Sequence, residues 1–511
     1  MSTVYKAQKK GYIIANSERS FNRALYGKYY EKRQLRFKAF AGDRPGVICY
    51  TCMDMGRLFW GAVRGDERKL LQDFETVVST YEGGVVTHFL RDKILQDGFL
   101  EIRIVPGKTN HGVLVKITAM GVPKDVSLVS FYGFCSGKTS ERGMDAGYIA
   151  MSILGASSGE IGYLAEKCSG NYFQIGENGF LLEWDTGNWR KVYGSFSGKG
   201  EEEGICDARL IEAGTFDLER KSEEFPLYYY VASLAEKKDL YCMIACPDGE
   251  EMSADNLEGQ FKEAIKHYET LSKRVEVNTP ENRIDAGMYA ANLAVEGFWL
   301  DPVFNHGAWA WDVPILGWRS MYGPSLMGMH REIRREAWIF NGLQFNENME
   351  VADKETLKWV EQAEFANSLA YFRHQSDAMD ISMEERTNAP LPDSKWEFAR
   401  QSAYGIINSE GRIPFMPDAL NIPMYDMQEV YFDQLLYEWE NTGDAGFAKQ
   451  IVEALKRHGE WEKRCFDPDD DGLYENYANF WATDGLFASG GAGSVATAYN
   501  YRLHTLLGEM C

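Results

Sequence analysis

The sequence predicts two domains of different class: an antiparallel β-sandwich over residues 1 to about 250, then an α-helical domain from about 279 to 511, with a linker helix across 251–278. Three observations predict this. Apolar residues recur every second position through the first half. They recur at helical spacing from about residue 257 onward. The length of 511 residues exceeds what one hydrophobic core usually serves.

In "FLEIRIVPG", Leu100, Ile102 and Ile104 face one way and Glu101 and Arg103 the other. In "GVLVKITAMG", Val113, Val115, Ile117 and Ala119 repeat the alternation, and "VSLVSFYGF" and "FPLYYYVASLAEKKDLYCMIAC" continue it. Alternation broken by Gly, Pro and Asp marks antiparallel strands with one buried face. In "SADNLEGQFKEAIKHYETLSKR", Leu257, Phe261, Ala264, Ile265, Tyr268 and Leu271 form a single helical stripe, capped by Ser253 or Asp255. Thr279 then serves as an N-cap with Pro280 in the first turn of the next helix. Further helices are expected near 324–343, 354–373, 395–407, 426–442, 445–464 and 493–509. The loops at 301–323, 374–394, 408–425 and 466–492 carry the unusual chemistry, and loops on a rigid scaffold are where function is commonly placed.

The formal net charge of −22 disfavours nucleic acid and anionic membranes, because both are bound by clustered Lys and Arg, and no basic stripe is present. No continuous apolar core of a signal peptide begins the chain and no stretch reaches the length of a membrane span. Nine scattered cysteines suit reduced thiols in a cytoplasm. Cys49 and Cys52 in "CYTC" lie on opposite faces of a predicted strand, and no second Cys pair or His pair completes a zinc set, so they read as packed thiols.

Aromatic residues make up 14% of the chain, and ten of the 13 tryptophans lie from Trp299 onward. In "GAWAWDVPILGWRS", Trp309 and Trp311 flank Ala310, so one ring can stack on a pyranose while the other packs. Asp312 can accept bonds from sugar hydroxyls, and Arg319 can orient it or bind a hydroxyl itself. The alternative is a buried aromatic cluster with a capping Asp. "ENYANFWATDGLFASGG" combines Glu475, Asn479, Trp481 and Asp484 with small residues that let a ligand approach the backbone. Asp484 is flanked by Phe480, Trp481, Leu486 and Phe487, and an apolar wall raises a carboxyl pKa as a general acid requires. The alternative is a turn cap. Upstream, Asp467, Asp469, Asp471 and Gly472 begin a calcium-loop pattern, but Ala478 stands where an EF-hand needs Glu. A looser calcium site or a solvated acidic turn remain. "ASGGAGSVATAYNY" lacks the Lys of a phosphate loop, although a helix starting near Ser494 can still offer amides to an anion.

Three stretches, "GAWAWDVPILGWRSMYGP", "YDMQEVYFDQLLYEWENTGD" and "DPDDDGLYENYANFWATDGLFASGG", resemble the six-hairpin glycosidase superfamily, which includes trehalases, glucosidase I-type enzymes, α-L-rhamnosidases and glycoside phosphorylases. The feel is of a bacterial branch of that group. The resemblance implies an (α/α)6 toroid, here incomplete, after the β-sandwich. It implies a glycoside hydrolase acting mostly by inversion on an oligosaccharide or glycoside, with no cofactor. It places the sugar at Trp311–Asp312 and the general acid at Asp484, with Glu429 and Glu475 as further carboxylates. The helices fall short of a complete ring, so a fragment or short member is expected, with the base on a later hairpin. Trp311, Asp312, Trp481 and Asp484 are expected to line one cavity. A glycoside phosphorylase and a non-catalytic carbohydrate-binding protein are the rival readings.

Overall fold

The structure is a computed structural model. It describes residues 3–19, 23–25, 29–30, 35–36, 38–50, 54–108, 112–135, 163–184, 190–198, 200–234, 239–246, 256–305, 316, 319–347, 409–414, 425–474 and 493–511. Contacts divide the chain into two compact units, 1–298 with 307–312, and 299–306 with 313–511. The break thus falls at Phe298, later than the change of hydrophobic period.

The first unit is built on two large antiparallel sheets. The ten-stranded sheet runs, edge to edge, through Val4–Gln8, Gly11–Ala15, Thr76–Glu82, Val85–Arg91, Phe99–Pro106, Gly112–Met120, Asp239–Ala245, Arg190–Phe196, Gly179–Trp184 and Tyr172–Gly176. The eight-stranded sheet orders Glu202–Asp207, Pro226–Ser233, Val126–Gly133, Asp54–Arg64, Val47–Tyr50, Lys38–Ala41 and Arg23–Leu25, with Glu67–Leu70 pairing Asp54–Arg64. Alternate residues of both sheets meet in one core. Leu100, Ile102, Ile104, Val113, Val115 and Ile117 come from the first sheet, and Leu58, Trp60, Leu128, Tyr132, Tyr228 and Tyr230 from the second. The predicted sandwich and its inward-facing residues are therefore observed.

The expectation of a single buried face needs correction. Leu114, Tyr241 and Met243 point away from that core yet are also buried, because a helix lies over them. Eight α-helices occur among the described residues: α1 (Ala208–Glu212), α2 (Leu257–Leu271), α3 (Asn282–Phe298), α4 (Tyr322–Leu326), α5 (His330–Gly342), α6 (Tyr425–Thr442), α7 (Ala445–Phe466) and α8 (Ser494–Met510). The helix read as a linker is α2. Its stripe of Leu257, Phe261, Ala264 and Tyr268 covers the outer face of the ten-stranded sheet. Its cap is Asn256, whose Oδ1 accepts from Gly259 N–H at 3.0 Å, in place of Ser253 or Asp255. Thr279 and Asp285 fasten the start of α3: the Thr279 N–H donates to Asp285 Oδ1 at 2.9 Å, and Thr279 Oγ1 accepts from the Glu281 N–H. On the other sheet, Phe59, Phe131 and Tyr229 are covered by residues around α1.

In the second unit a short hairpin, Trp299–Leu300 with Val303–Phe304, is the one pair of strands among the described residues. The predicted helix over 324–343 is broken into α4 and α5. Gly328 sits between them at φ +76°, a left-handed residue that ends a helical turn. α4 packs on α6, α5 on the hairpin and on α7, and both α6 and α7 on α8. Asp444 caps α7 by accepting from Gly446 and Phe447 N–H at 2.7 and 2.9 Å. The helices expected at 354–373 and 395–407 lie outside the described residues. Among the described residues no helix is long and apolar enough to cross a membrane. Cys49 is buried in its strand and in no disulfide, while Cys52 lies outside the described residues.

Candidate functional site

Of the residues singled out in the sequence, Trp309, Trp311, Asp312, Glu475, Asn479, Trp481 and Asp484 lie outside the described residues. Their expected shared cavity therefore lies outside them too. Arg319 and Glu429 are described, and both act electrostatically on the same group, the Tyr499 hydroxyl.

Glu429 sits in the first turns of α6, where the side chains at 427–432 are all buried. The apolar members, Met427, Val430, Tyr431 and Phe432, explain why this turn faces inward and carries the carboxylate with it. Gln428 holds the turn against the neighbouring chain by accepting from the Ile413 N–H at 2.8 Å. Arg319 lies ahead of α4, exposed, with its backbone at φ +61°. A non-glycine residue in that region is strained by about 1–2 kcal/mol, and such strain concentrates at functional sites.

Tyr499 on α8 ends a hydrogen-bonded chain. It bonds to Tyr322. The Tyr322 hydroxyl donates to Asp433, whose other oxygen accepts from Arg502 Nε at 2.6 Å. Arg502 also reaches Glu440. Burial pushes the Tyr499 hydroxyl pKa up, Asp433 and Glu429 push it further, and Arg319 and the Tyr322 bond pull it back. Burial and the bond to Asp433 also drive Tyr322 well above the ordinary phenol value. Both phenols are thus neutral hydroxyls, able to donate and accept hydrogen bonds near neutral pH.

The segment 475–492, which carries Asp484, has its two flanks joined. The Gly493 N–H donates to the Tyr474 carbonyl at 2.9 Å, and the Tyr474 N–H donates to Thr497 Oγ1 at 3.0 Å. The Tyr474 ring is buried, and its hydroxyl meets His504 Nε2 at 3.0 Å. Burial raises the Tyr474 pKa first, followed by Glu462, Asp467, Asp470 and Glu429. Glu429 therefore acts on the foot of the segment predicted to hold the acid.

Beneath this foot lies a buried polar group that the sequence reading missed. His458 and Glu462 on α7 are 1% and 0% exposed, with Nε2 and Oε1 3.6 Å apart, too far for a hydrogen bond. The His458 ring stacks on Phe432 at 4.0 Å, and burial pulls its pKa down to about 3. Arg412 is also fully buried, with its guanidinium 4.8 Å from the Phe345 ring. Burial raises the Cys465 thiol to about 12, with Glu462 adding to the rise and Arg412 opposing it. One signal was visible in the sequence. His458 and Glu462 fall at helical spacing on the stripe of Phe447, Ile451, Leu455 and Trp461, where only apolar residues are expected.

Asp467, Asp469 and Asp471 bring one carboxylate oxygen each within 4.8 Å of one another. Asp467 Oδ1 already accepts from the N–H groups of Asp471 and Gly472, at 3.0 and 3.3 Å, and Asp471 Oδ1 accepts from Leu473 N–H. Lys463 pairs with the intervening Asp470. These bonds account for the turn as an Asx-type structure. Hard-cation chemistry would use the same carboxylate oxygens.

Residues 53–264 match a family model described as "Domain of unknown function (DUF4450)". No curated protein matches the chain. A bacterial glucoamylase complexed with acarbose is similar at a TM-score of 0.44 and 8% identity, over 100% of this chain and 68% of the other. A family GH92 inverting mannosidase from Bacteroides thetaiotaomicron VPI-5482 is similar at a TM-score of 0.36 and 9% identity, over 96% of this chain and 64% of the other. Both are distant likenesses.

Proposed function

We propose that the chain is a carbohydrate-active enzyme that hydrolyses a glycosidic bond with inversion, its helices forming part of an (α/α) ring. The observation that supports this reading is the pinned foot of the segment holding Asp484, where the Gly493 N–H donates to the Tyr474 carbonyl, in the same unit as a carboxylate, Glu429, buried on α6. Glycoside hydrolysis requires an acid to protonate the leaving oxygen and a second carboxylate, about 6.5–9.5 Å away when that group activates water. Asp484, walled by aromatic residues in sequence, is assigned as the acid. Glu429 is assigned as the second carboxylate, in place of a base on a later hairpin. Arg319 and the neutral Tyr499 hydroxyl supply polar contacts to sugar hydroxyls, and Trp309, Trp311 and Trp481 supply stacking faces. Asp312, Glu475 and Asn479 are assigned as further polar contacts to the sugar. Buried cysteines outside any disulfide among the described residues agree with a cytoplasmic setting.

The test is product release from a panel of oligosaccharides and aryl glycosides, with and without inorganic phosphate. Release without phosphate, with the inverted anomer appearing first, supports hydrolysis. Strict dependence on phosphate replaces it with phosphorolysis, a reading favoured by the helix start at Ser494. Binding without turnover at any substrate refutes catalysis and leaves a carbohydrate-binding protein.

A further inference from the structure

Glu336, on α5, is 1% exposed, far from any solvent that could hydrate a charge. Its Oε2 accepts from the backbone N–H of Phe304 at 2.6 Å, which fixes the second strand of the Trp299–Phe304 hairpin to the helix. The hairpin is closed by the Trp299 and Phe304 rings, edge to face at 4.7 Å. Arg335, the neighbour of Glu336, is turned outward to Asp301 at 2.8 Å.

No cation faces the Glu336 carboxyl among the described residues. From α6 it meets Tyr431, whose hydroxyl donates to Asn341 on α5. Beyond Tyr431 and the Phe304 N–H, no titratable or charged group from the packed helices acts on it among the described residues. Burial lifts the Glu336 pKa to about 8, and the Phe304 bond only partly opposes it.

We propose that Glu336 is a proton-operated latch: as a neutral acid it clamps the hairpin to α5, and as a carboxylate it leaves its apolar seat and releases the hairpin. The sign follows from linkage. The closed state holds its proton more tightly than the open state, so closure is strongest below the ordinary glutamate value of 4.5. It weakens as pH rises from there to about 8, and is flat above that.

The test is amide hydrogen exchange of the peptide spanning 299–305 in the full chain, corrected for the intrinsic pH dependence of exchange. Protection in the wild type is expected to fall by about two orders of magnitude between pH 5 and pH 8. Glu336→Gln, which keeps a carbonyl acceptor but cannot ionise, is expected to show no such fall. Protection in the wild type that does not change with pH overturns the proposal, as does an equal fall in the variant. If the variant does not fold, an infrared titration of the wild type gives the answer: a buried protonated carboxyl band persisting to near pH 8 supports the latch, and none above pH 6 refutes it. Neither readout needs an active enzyme, so the latch and the carbohydrate reading can fail separately.

Discussion

Replacing His458 with Gln should remove most of the acid sensitivity of the second unit. The imidazole is fully buried against Phe432, and its pKa falls from an ordinary 6.5 to about 3. In the unfolded chain the same ring titrates at the ordinary value. Below pH 6.5 the unfolded state therefore binds a proton that the folded state refuses, and stability is lost as pH falls from about 6.5 toward 3. At about 1.4 kcal/mol for each unit, the full depression amounts to about 5 kcal/mol. That figure is a ceiling, because Glu462, 3.6 Å from Nε2, can move to meet a protonated ring. Glu336 opposes this limb, since its raised pKa removes stability between about 4.5 and 8. The two slopes cancel between 4.5 and 6.5, giving a plateau with a loss on each side. Urea unfolding followed by tryptophan fluorescence from pH 3 to 9 measures this directly. The wild type should lose up to about 2.5 kcal/mol between pH 6 and pH 4 once the Glu336 contribution is subtracted with Glu336→Gln. In His458→Gln made in the Glu336→Gln background, the midpoint should start lower, because ring stacking is lost, but the acid slope should be nearly absent. An unchanged slope in the second unit's transition would refute the burial argument. His88, also buried with a pKa pulled down to about 3, supplies the same acid limb to the first unit.

Glu429→Gln should lower turnover by about 10²–10⁴ while far-ultraviolet circular dichroism is unchanged, and comparable activity would remove Glu429 from the chemistry. Asp484→Asn should cut turnover of natural glycosides by a similar factor of about 10²–10⁴, and of aryl glycosides with good leaving groups much less. Gly411→Ala should destabilise the second unit strongly, because Gly411 lies at φ +92° and an added Cβ would stand 2.2 Å from the Arg457 carbonyl oxygen. A melting temperature equal to that of the wild type would show that the 409–413 segment can shift. Asn256→Ala should cost about 1–2 kcal/mol in the first unit, from the lost α2 cap and an alanine left in the left-handed region.

The sandwich was legible in the sequence because strand residues such as Leu100, Ile102 and Ile104 alternate cleanly, and burial in a sheet follows that alternation. What alternation does not encode is which helix lies on the outer face. Leu114 and Met243 appear as ordinary strand residues until α2 is placed over them. The break between α4 and α5 was legible only in Gly328, a residue that helices also tolerate. At the candidate site, Arg319 and Glu429 were recognisable from motifs, but Tyr499 was not. Its place depends on Tyr322, Asp433 and Arg502, which are brought together from three helices. His458 and Glu462 were legible in principle, since charge on an apolar stripe is a local signal that needs no tertiary knowledge.

The bond between Gly493 and the Tyr474 carbonyl makes the 18 residues between them an interchangeable insert. Its ends are anchored by the helical scaffold, through Thr497 and the buried Tyr474 ring, whatever the insert contains. Because closure entropy grows only with the logarithm of length, doubling such an insert costs about 0.6 kcal/mol. A lineage built on these helices can therefore trade inserts of different length and composition at this position, changing what is bound while leaving α7 and α8 as they are.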